Sequence, residues 1–338
     1  MPDEILNKKI VASSINYTVE RMKKERNSTV EFLRILSMLL IVWFHLCGRG
    51  LGLFSEEIPN GGGNSLPLIV MQALGKTGVP IFMFISGYYG VRFKWNRLKD
   101  ILIQAVLYTI VFYSIACLFL PIYQFRVFVL QVFGVSGIWF VNCYIVLYIL
   151  SDGINAVLDK LNFKAFSFVV LILLYIAVGK WIGKEGGCNL FTMIEYYIIA
   201  RYVRKYVGSY KRIVKWMMIP SVVLFVLPIC YGYCCGYYSA IYPYVFSYYN
   251  PLLILVAMSI VVSADDFKTH NKAINYVAGS VLAVYMLHEN CYTPEIVTPF
   301  LHFDNFSVLN ATFVILIVFV IAVLIDKFRE KICSSLMK

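Results

Sequence analysis

Long apolar stretches dominate the pattern of hydrophobic and polar positions along the chain. About ten of them are bounded by charged or turn-forming residues, and each approaches the roughly 20 residues that a helix needs to cross a bilayer. We predict spans near residues 30–50, 66–90, 98–120, 137–151, 164–183, 190–207, 213–232, 246–263, 274–290 and 307–326. The fourth is expected to be short. The pattern predicts an all-α integral membrane protein.

The predicted domain organisation is simple. Residues 1–28 carry several basic side chains and no long apolar run, so we expect a cytosolic N-terminal tail. Residues 29–328 are expected to form one multi-span membrane domain, and residues 329–338 a cytosolic C-terminal tail. The chain contains no repeat of fixed period.

Composition excludes a soluble protein. Of the 338 residues 60% are hydrophobic and only 14% are charged, and the mean hydropathy is +0.74. A soluble domain carries about 25% charged residues. The formal charge of +11 arises from 30 Lys and Arg against 19 Asp and Glu. In a membrane protein such an excess anchors cytosolic loops, so we expect a lipid bilayer as partner and no nucleic acid.

The distribution of basic residues predicts the orientation. With the N-terminus in the cytosol, most Lys and Arg residues fall on the inner side of the predicted spans. The outer side holds Arg49, Arg126, Lys180 and Lys184, while Arg34 and Lys76 lie within spans. Because basic loops stay in the cytosol, both termini are predicted to be cytosolic.

The first span contains the clearest candidate for chemistry. Arg34 and His45 are eleven residues apart, which places them on one helix face about 16 Å apart along the axis. With Arg34 at the cytosolic interface, His45 lies near the midplane, where an imidazole can accept a proton. Glu31 is spaced to pair with Arg34. The alternative is an interfacial ion pair and a packed histidine.

A second histidine, His288, ends the run that begins at Gly279 and lies at a depth similar to that of His45. The two could meet across the bundle and share protons or bind a hydroxyl; alternatively, His288 faces water at the outer interface. Glu289 and Glu295 follow it and are expected to face the outside, where they solvate a loop or bind a polar acceptor.

The second span contains glycine and proline, which indicates a broken helix beside a cavity or a neighbouring helix. We interpret Ser86 in this span as a packing or hydrogen-bonding residue more readily than as a nucleophile. A basic patch that includes Lys94 and Arg97 follows, either as a topology anchor or as a site for a phosphorylated donor. The closest cysteines, Cys230, Cys234 and Cys235, lack metal-site spacing, and we expect no metal.

Four short motifs follow one another along the chain. They are Arg34-x10-His45 preceded by Glu31, the segment Gly78–Tyr88 with Gly-Val near its start and Ser-Gly near its end, the segment Ile138–Phe140, and Ser280-x4-Tyr285-Met-Leu-His288. Together they resemble the membrane acyltransferase-3 family, multi-span bacterial enzymes that O-acylate cell-surface sugars. One departure is Lys94-x-x-Arg97, where many members have two arginines, because lysine keeps the charge and loses the bidentate fork.

The resemblance implies a bacterial plasma-membrane enzyme that moves an acyl group, most simply acetyl, from acetyl-CoA in the cytosol to a hydroxyl of a surface or exopolysaccharide sugar. It implies that Lys94, Arg97 and Arg34 hold the CoA phosphates and that Ser86 also belongs to the donor-binding site. It also implies that His45 is the general base or carries the acyl group, that His288 binds the sugar or shares protons, and that Glu31 orients Arg34. The alternative function is a transporter or flippase for a lipid-linked glycan, which would also use broken helices and midplane ionisable residues.

Overall fold

The computed structural model describes residues 26–50, 65–119, 125–132, 139–289 and 307–336, and the regular elements within these ranges are all helical. Most of the predicted N-terminal tail and Glu295 lie outside the described residues. The α-helices are α1 (Ser28–His45), α2 (Ser65–Lys76), α3 (Gly78–Tyr89), α4 (Trp95–Phe119), α5 (Phe125–Val132), α6 (Trp139–Lys160), α7 (Phe163–Ile182), α8 (Leu190–Tyr206), α9 (Lys211–Trp216), α10 (Met218–Cys235), α11 (Tyr238–Val245), α12 (Pro251–Ala264), α13 (Lys272–Ala278), α14 (Val281–His288) and α15 (Val308–Leu336).

The predicted all-α membrane class is confirmed. Within the described ranges, seven helical segments are long and apolar enough to cross a bilayer: Ser28–His45, Leu66–Tyr89, Trp95–Leu118, Trp139–Lys160, Phe163–Ile182, Met218–Cys235 and Val308–Ser335. The other three predicted spans correspond to shorter or more polar helices, namely α8, α12 and the α13–α14 pair.

Helix α1 lies at the centre of the bundle and packs against α2, α3, α13, α14 and α15. Small residues permit the closest approaches, as is common between membrane helices. A Cβ added to Gly75 would lie 2.8 Å from the Leu40 carbonyl oxygen, and one added to Gly78 would lie 2.5 Å from that of Ser37. The two halves of the broken second span are therefore held tightly along α1.

The fourth span differs from the prediction. It was expected to be short and to end near residue 151, but α6 continues to Lys160. The additional turns are polar and hold the loop after α3: Phe93 N–H donates to Asp152 Oδ1 at 3.1 Å, and Asn155 Nδ2 donates to the Val91 carbonyl at 2.8 Å. The helix was underestimated because its polar extension is stabilised by contacts that hydropathy does not report.

One end of the bundle, which we call the basic end, is where α1 begins and α3 and α12 end. There Asp265 accepts hydrogen bonds from Tyr88, Tyr89, Arg204 and Lys211, at 3.0 to 3.1 Å. Burial raises the pKa of the Asp265 carboxyl, but the hydrogen bond from Lys211 and the charge of Arg204 lower it by more, so its pKa lies below the usual range. These contacts join α3, α8 and α9 to the end of α12.

Candidate active site

Two histidines from distant parts of the chain meet inside the bundle. His45 is the last residue of α1, His288 is the last residue of α14, and these helices pack against each other. His45 Nδ1 lies 3.0 Å from His288 Nε2, and the ring centroids are 5.2 Å apart. The structure thus brings together the two histidines that the sequence places at similar depth.

The hydrogen bonds of His288 define the protonation of this pair. His288 Nδ1 lies 2.7 Å from the Val284 carbonyl, which can only accept, so Nδ1 carries the proton. In a neutral His288, Nε2 is then an acceptor, and His45 Nδ1 donates to it. A neutral His45 consequently has its lone pair on Nε2, the nitrogen needed by a base or a nucleophile.

Glu289 does not face outside as expected. Its side chain is only 7% exposed; Oε1 pairs with Arg49, and Oε2 lies 3.2 Å from His45 Nδ1. A π-helical turn, Leu46–Gly50, follows α1 and carries Arg49. The expectation of a solvated loop was wrong because this turn supplies Arg49, a partly exposed cation that pairs with the buried Glu289 carboxylate, and linear hydropathy does not reveal this contact.

Aromatic and cationic groups surround the histidines. The Tyr285 ring centroid lies 6.1 Å from that of His45 and 5.6 Å from that of His288. The Tyr285 hydroxyl is buried and has no hydrogen-bond partner in the described part of the chain. Lys76 is 4% exposed; its Nζ lies 3.3 Å from the ring centroid of Tyr248 and 4.9 Å from that of Phe44. Among the described residues, no carboxylate forms an ion pair with Lys76.

The same cluster contains groups that could bind a metal. One ligand atom each from His45, His288 and Glu289 lies within 4.8 Å of the others. Two imidazoles and a carboxylate are a donor set that suits zinc. The contacts described above between His45 Nδ1, His288 Nε2 and the Glu289 carboxylate already engage these donor atoms without a metal ion. The expectation that the protein has no metal stays a prediction.

A cavity of about 510 Å³ opens at the basic end. Its mouth carries four cations and two carboxylates, and its deeper wall is apolar and aromatic. The charged lining residues are Arg26, Glu31, Arg34, Arg97, Lys327 and Glu330. Such a cavity can hold a ligand with a polyanionic head and an apolar tail.

Most of the predicted donor-binding residues line this cavity. Arg34 Nη1 donates to Glu31 Oε1 at 2.6 Å, which confirms the predicted ion pair. Arg97 and Ser86 also line the cavity, and the Ser86 hydroxyl donates to the Phe82 carbonyl at 3.0 Å. Lys94 is exposed and is not a lining residue.

Sequence reasoning missed several groups at both sites. Arg26 and Lys327 line the cavity, although their positions in the basic N-terminal tail and just after the last predicted span indicate only topology anchors. Arg49 was treated only as an outer charge. The strongest available signal was Lys76, because an ionisable side chain within a predicted span is a functional candidate by default.

Comparison with known proteins agrees with the motifs. No curated protein and no solved structure gives a significant match to the chain. A family model described as an acyltransferase domain, that of acyltransferase-3, matches residues 27–327. This match covers nearly all the described helices, the histidine pair, and all the cavity-lining residues except Arg26 and Glu330. The chain therefore belongs to the acyltransferase-3 family and is a multi-pass membrane acyltransferase.

Proposed function

We propose that the protein transfers an acetyl group from acetyl-CoA, bound in the cavity at the basic end, to a hydroxyl of a cell-surface or exopolysaccharide sugar, with His45 as the central catalytic group. The observation that carries this proposal is the His45–His288 contact of 3.0 Å deep in the bundle of a membrane acyltransferase. Family membership does not favour the transporter alternative.

The cavity supports a CoA donor. CoA carries several phosphate charges on its nucleotide and an uncharged thioester arm, and the cavity carries arginines at its mouth and apolar groups deeper inside. Arg34, held by Glu31, and Arg97 would bind phosphate oxygens through their planar guanidinium groups. Lys327 lies 4.3 Å over the Tyr276 ring at the same mouth and would add a further charge. Lys94 would contribute a more distant charge from the exposed loop.

His45 would act through Nε2. As a general base, it removes the proton from the acceptor hydroxyl while that oxygen attacks the thioester carbonyl. The tetrahedral intermediate then expels the CoA thiolate, which takes the proton from the imidazolium. As an acyl carrier, the same nitrogen attacks the thioester carbonyl and expels the CoA thiolate. The acceptor oxygen then attacks the acyl-imidazole and takes the acyl group, its proton passes to the thiolate, and neutral His45 is regenerated. In both routes His288 and Glu289 would hold the proton of His45 on Nδ1, and Glu289 would also stabilise the positive imidazole.

Groups beside the pair would stabilise the oxyanion of the tetrahedral intermediate. Lys76 is buried and Arg49 is partly exposed, and both supply positive charge near the histidines. Of these two cations, only Arg49 pairs with Glu289. An oxyanion would balance the charge of Lys76. The unpartnered Tyr285 hydroxyl offers a hydrogen bond that becomes satisfied only when an acceptor atom arrives.

The orientation of the reaction follows from the charge distribution. We propose ten membrane passes in a bacterial plasma membrane, with both termini and the basic end in the cytosol. Acetyl-CoA would enter from the cytosol, and the sugar would approach from the opposite face. The chain would then act in modification of exported polysaccharide.

The test is transfer from labelled acetyl-CoA to the surface polysaccharide of the host, in membranes that contain either the intact protein or the His45→Ala variant. We expect label on the glycan with the intact protein and none with the variant. His270→Ala serves as the control, because His270 is an exposed loop histidine. Equal transfer by His45→Ala would rule out the proposed mechanism. Glycan translocation without any acyl transfer would favour the transporter.

A further inference from the structure

The deep wall of the cavity is backed by a fully buried phenylalanine. Phe82 and Tyr144 line the cavity, whereas Phe140 is 0% exposed and is not a lining residue. The Phe140 ring contacts Phe82 edge-on at 5.7 Å between centroids and stacks on Tyr144 at 6.0 Å. Phe140 therefore lies directly behind the wall that a ligand entering from the basic end would meet.

On its other side, Phe140 packs against the surroundings of the histidine pair. Its ring centroid lies 4.9 Å from that of Tyr285, and Tyr285 contacts both His45 and His288. We call Phe82, Phe140, Tyr144 and Tyr285 the aromatic layer. Phe140 is the member that contacts all three others, so it joins the cavity wall to the histidines.

We propose that Phe140 is the specificity-determining residue that limits the transferred acyl group to about two carbons. This inference rests on the proposed function, because it assumes an acyl-CoA donor in the cavity. To reach His45, the thioester carbonyl must pass the cavity wall. The acyl carbons attached to this carbonyl must then occupy space beside the Phe140 ring. Since protein interiors are close-packed, a longer acyl chain would overlap this ring.

Packing around α6 keeps Phe140 in this position. The preceding residue, Trp139, begins α6 and has its ring 5.6 Å from that of Tyr248. The ring of Phe140 is also held from three directions by the rest of the aromatic layer. If the ring rotated away from an incoming acyl chain, it would lose several of these contacts at once. Phe140 is therefore expected to restrict the length of the acyl group.

The experiment measures kcat/KM for acetyl-, propionyl- and butyryl-CoA with the purified full-length protein and its polysaccharide acceptor. The variants are Phe140→Ala and the more conservative Phe140→Leu. The matched control is Phe166→Leu, because Phe166 is also buried, at 1% exposure, but packs against Tyr202 and Tyr206 elsewhere. One methylene in an apolar pocket changes discrimination by roughly 10- to 200-fold.

We expect the intact protein and Phe166→Leu to prefer acetyl-CoA strongly. The butyryl-to-acetyl ratio of kcat/KM should rise at least about 10-fold in Phe140→Ala and by less in Phe140→Leu. An unchanged ratio in the Phe140 variants, an equal rise in Phe166→Leu, or efficient butyryl transfer by the intact protein would each overturn the inference.

A binding measurement separates this inference from the proposed function. Thioether analogues of acetyl- and butyryl-CoA cannot donate their acyl groups, so their stabilisation of the detergent-solubilised protein reports the size limit without catalysis. Stronger stabilisation of the intact protein by the acetyl analogue, and loss of this preference in Phe140→Leu, supports the size limit even where no transfer is detected. Equal stabilisation by both analogues contradicts it, whatever the transfer assay gives.

Discussion

At the scale of single residues, the proton on His288 determines what His45 can do. The Val284 carbonyl holds that proton on Nδ1, which leaves Nε2 to accept from His45. His288 would thus be a positioning residue that acts through His45. A side chain that only packs there could not replace His288, because the role requires an acceptor atom opposite His45 Nδ1.

Replacing His288 tests this role. We expect His288→Ala to lower kcat by about 10²- to 10⁴-fold, since His45 Nδ1 would lose its acceptor at 3.0 Å and keep only the 3.2 Å contact with Glu289 Oε2, which leaves the ring less firmly oriented. His288→Gln should recover part of the rate, because its amide oxygen can accept from His45 Nδ1. Measuring kcat and its pH profile for both variants gives the answer. Full activity in His288→Ala, or no difference between the two variants, would contradict the role.

Helical spacing was informative where partners lie on one helix or at the same depth. Arg34, Glu31 and the depth of His45 and His288 could all be predicted from residue separation. Glu289 was assigned incorrectly because its partner Arg49 is 240 residues away and comes from a π-helical turn. Lys327 had no usable signal, because a basic residue near the end of the last span resembles an ordinary anchor.

At the scale of helices, the glycine of the Ser-Gly segment in α3 is required by packing. A Cβ added to Gly87 would lie unacceptably close to the Tyr197 carbonyl oxygen and 2.8 Å from Ala200 Cβ. Helices α3 and α8 make extensive contact, so neither can easily withdraw. The small residue in this motif therefore has a structural explanation that requires no ligand.

This explanation predicts a contrast between two glycine variants. Gly87→Ala should destabilise the protein by about 1–3 kcal/mol, because the added methyl overpacks the α3–α8 contact. Gly179→Ala lies in α7 with nothing within 4 Å of the added Cβ, and it should be neutral or stabilising by up to about 1 kcal/mol. Thermal unfolding in detergent measures both. Equal melting temperatures for the two variants would show that the close approach is unimportant.

Hydropathy located the helices well, including those in all ten predicted spans, but it did not report where polar turns extend them. The fourth span was too short in the prediction because polar residues such as Asp152 and Asn155 indicate the end of a membrane helix, and their loop partners cannot be read from hydropathy. Likewise, apolar runs do not reveal that the span near 274–290 consists of two helices, α13 and α14, separated at Gly279 and Ser280.

At the scale of the whole molecule, Asp265 links helices that are distant in sequence at the basic end. Its pKa is held below the usual range in the folded protein, so the ionised form stabilises the fold. This contribution is fully present above the ordinary aspartate pKa of about 3.9 and is lost as pH falls through the lower pKa of the folded state.

Asp265→Asn should therefore lower the melting temperature at pH 7, and the difference from the intact protein should shrink as pH falls below about 4. Asp100→Asn is the control, because Asp100 is exposed and makes no ion pair within the described ranges. Melting curves in detergent from pH 7 to pH 3 measure the effect. A difference that is independent of pH would mean that hydrogen bonding by Asp265, and not its charge, holds the helices.

Overall charge and hydropathy were sufficient to predict the membrane class, because both are sums over many residues and tolerate local errors. The cavity could not be predicted in the same way, since its lining comes from α1, α3, α4, α6, α13, α14 and α15 and depends on how they assemble.

The aromatic layer also has an electrical consequence. A bilayer that stores a proton gradient cannot tolerate a continuous file of water through a protein, and a cavity that opens towards a pair of imidazoles would hold part of such a file once it filled with water. The packed rings of Phe82, Phe140, Tyr144 and Tyr285 lie between the cavity and the imidazoles, so they would close this water path whenever no donor arm is in place. The same layer that limits the size of the acyl group would thus keep the membrane insulated, so that an acyl group crosses it without a leak of protons.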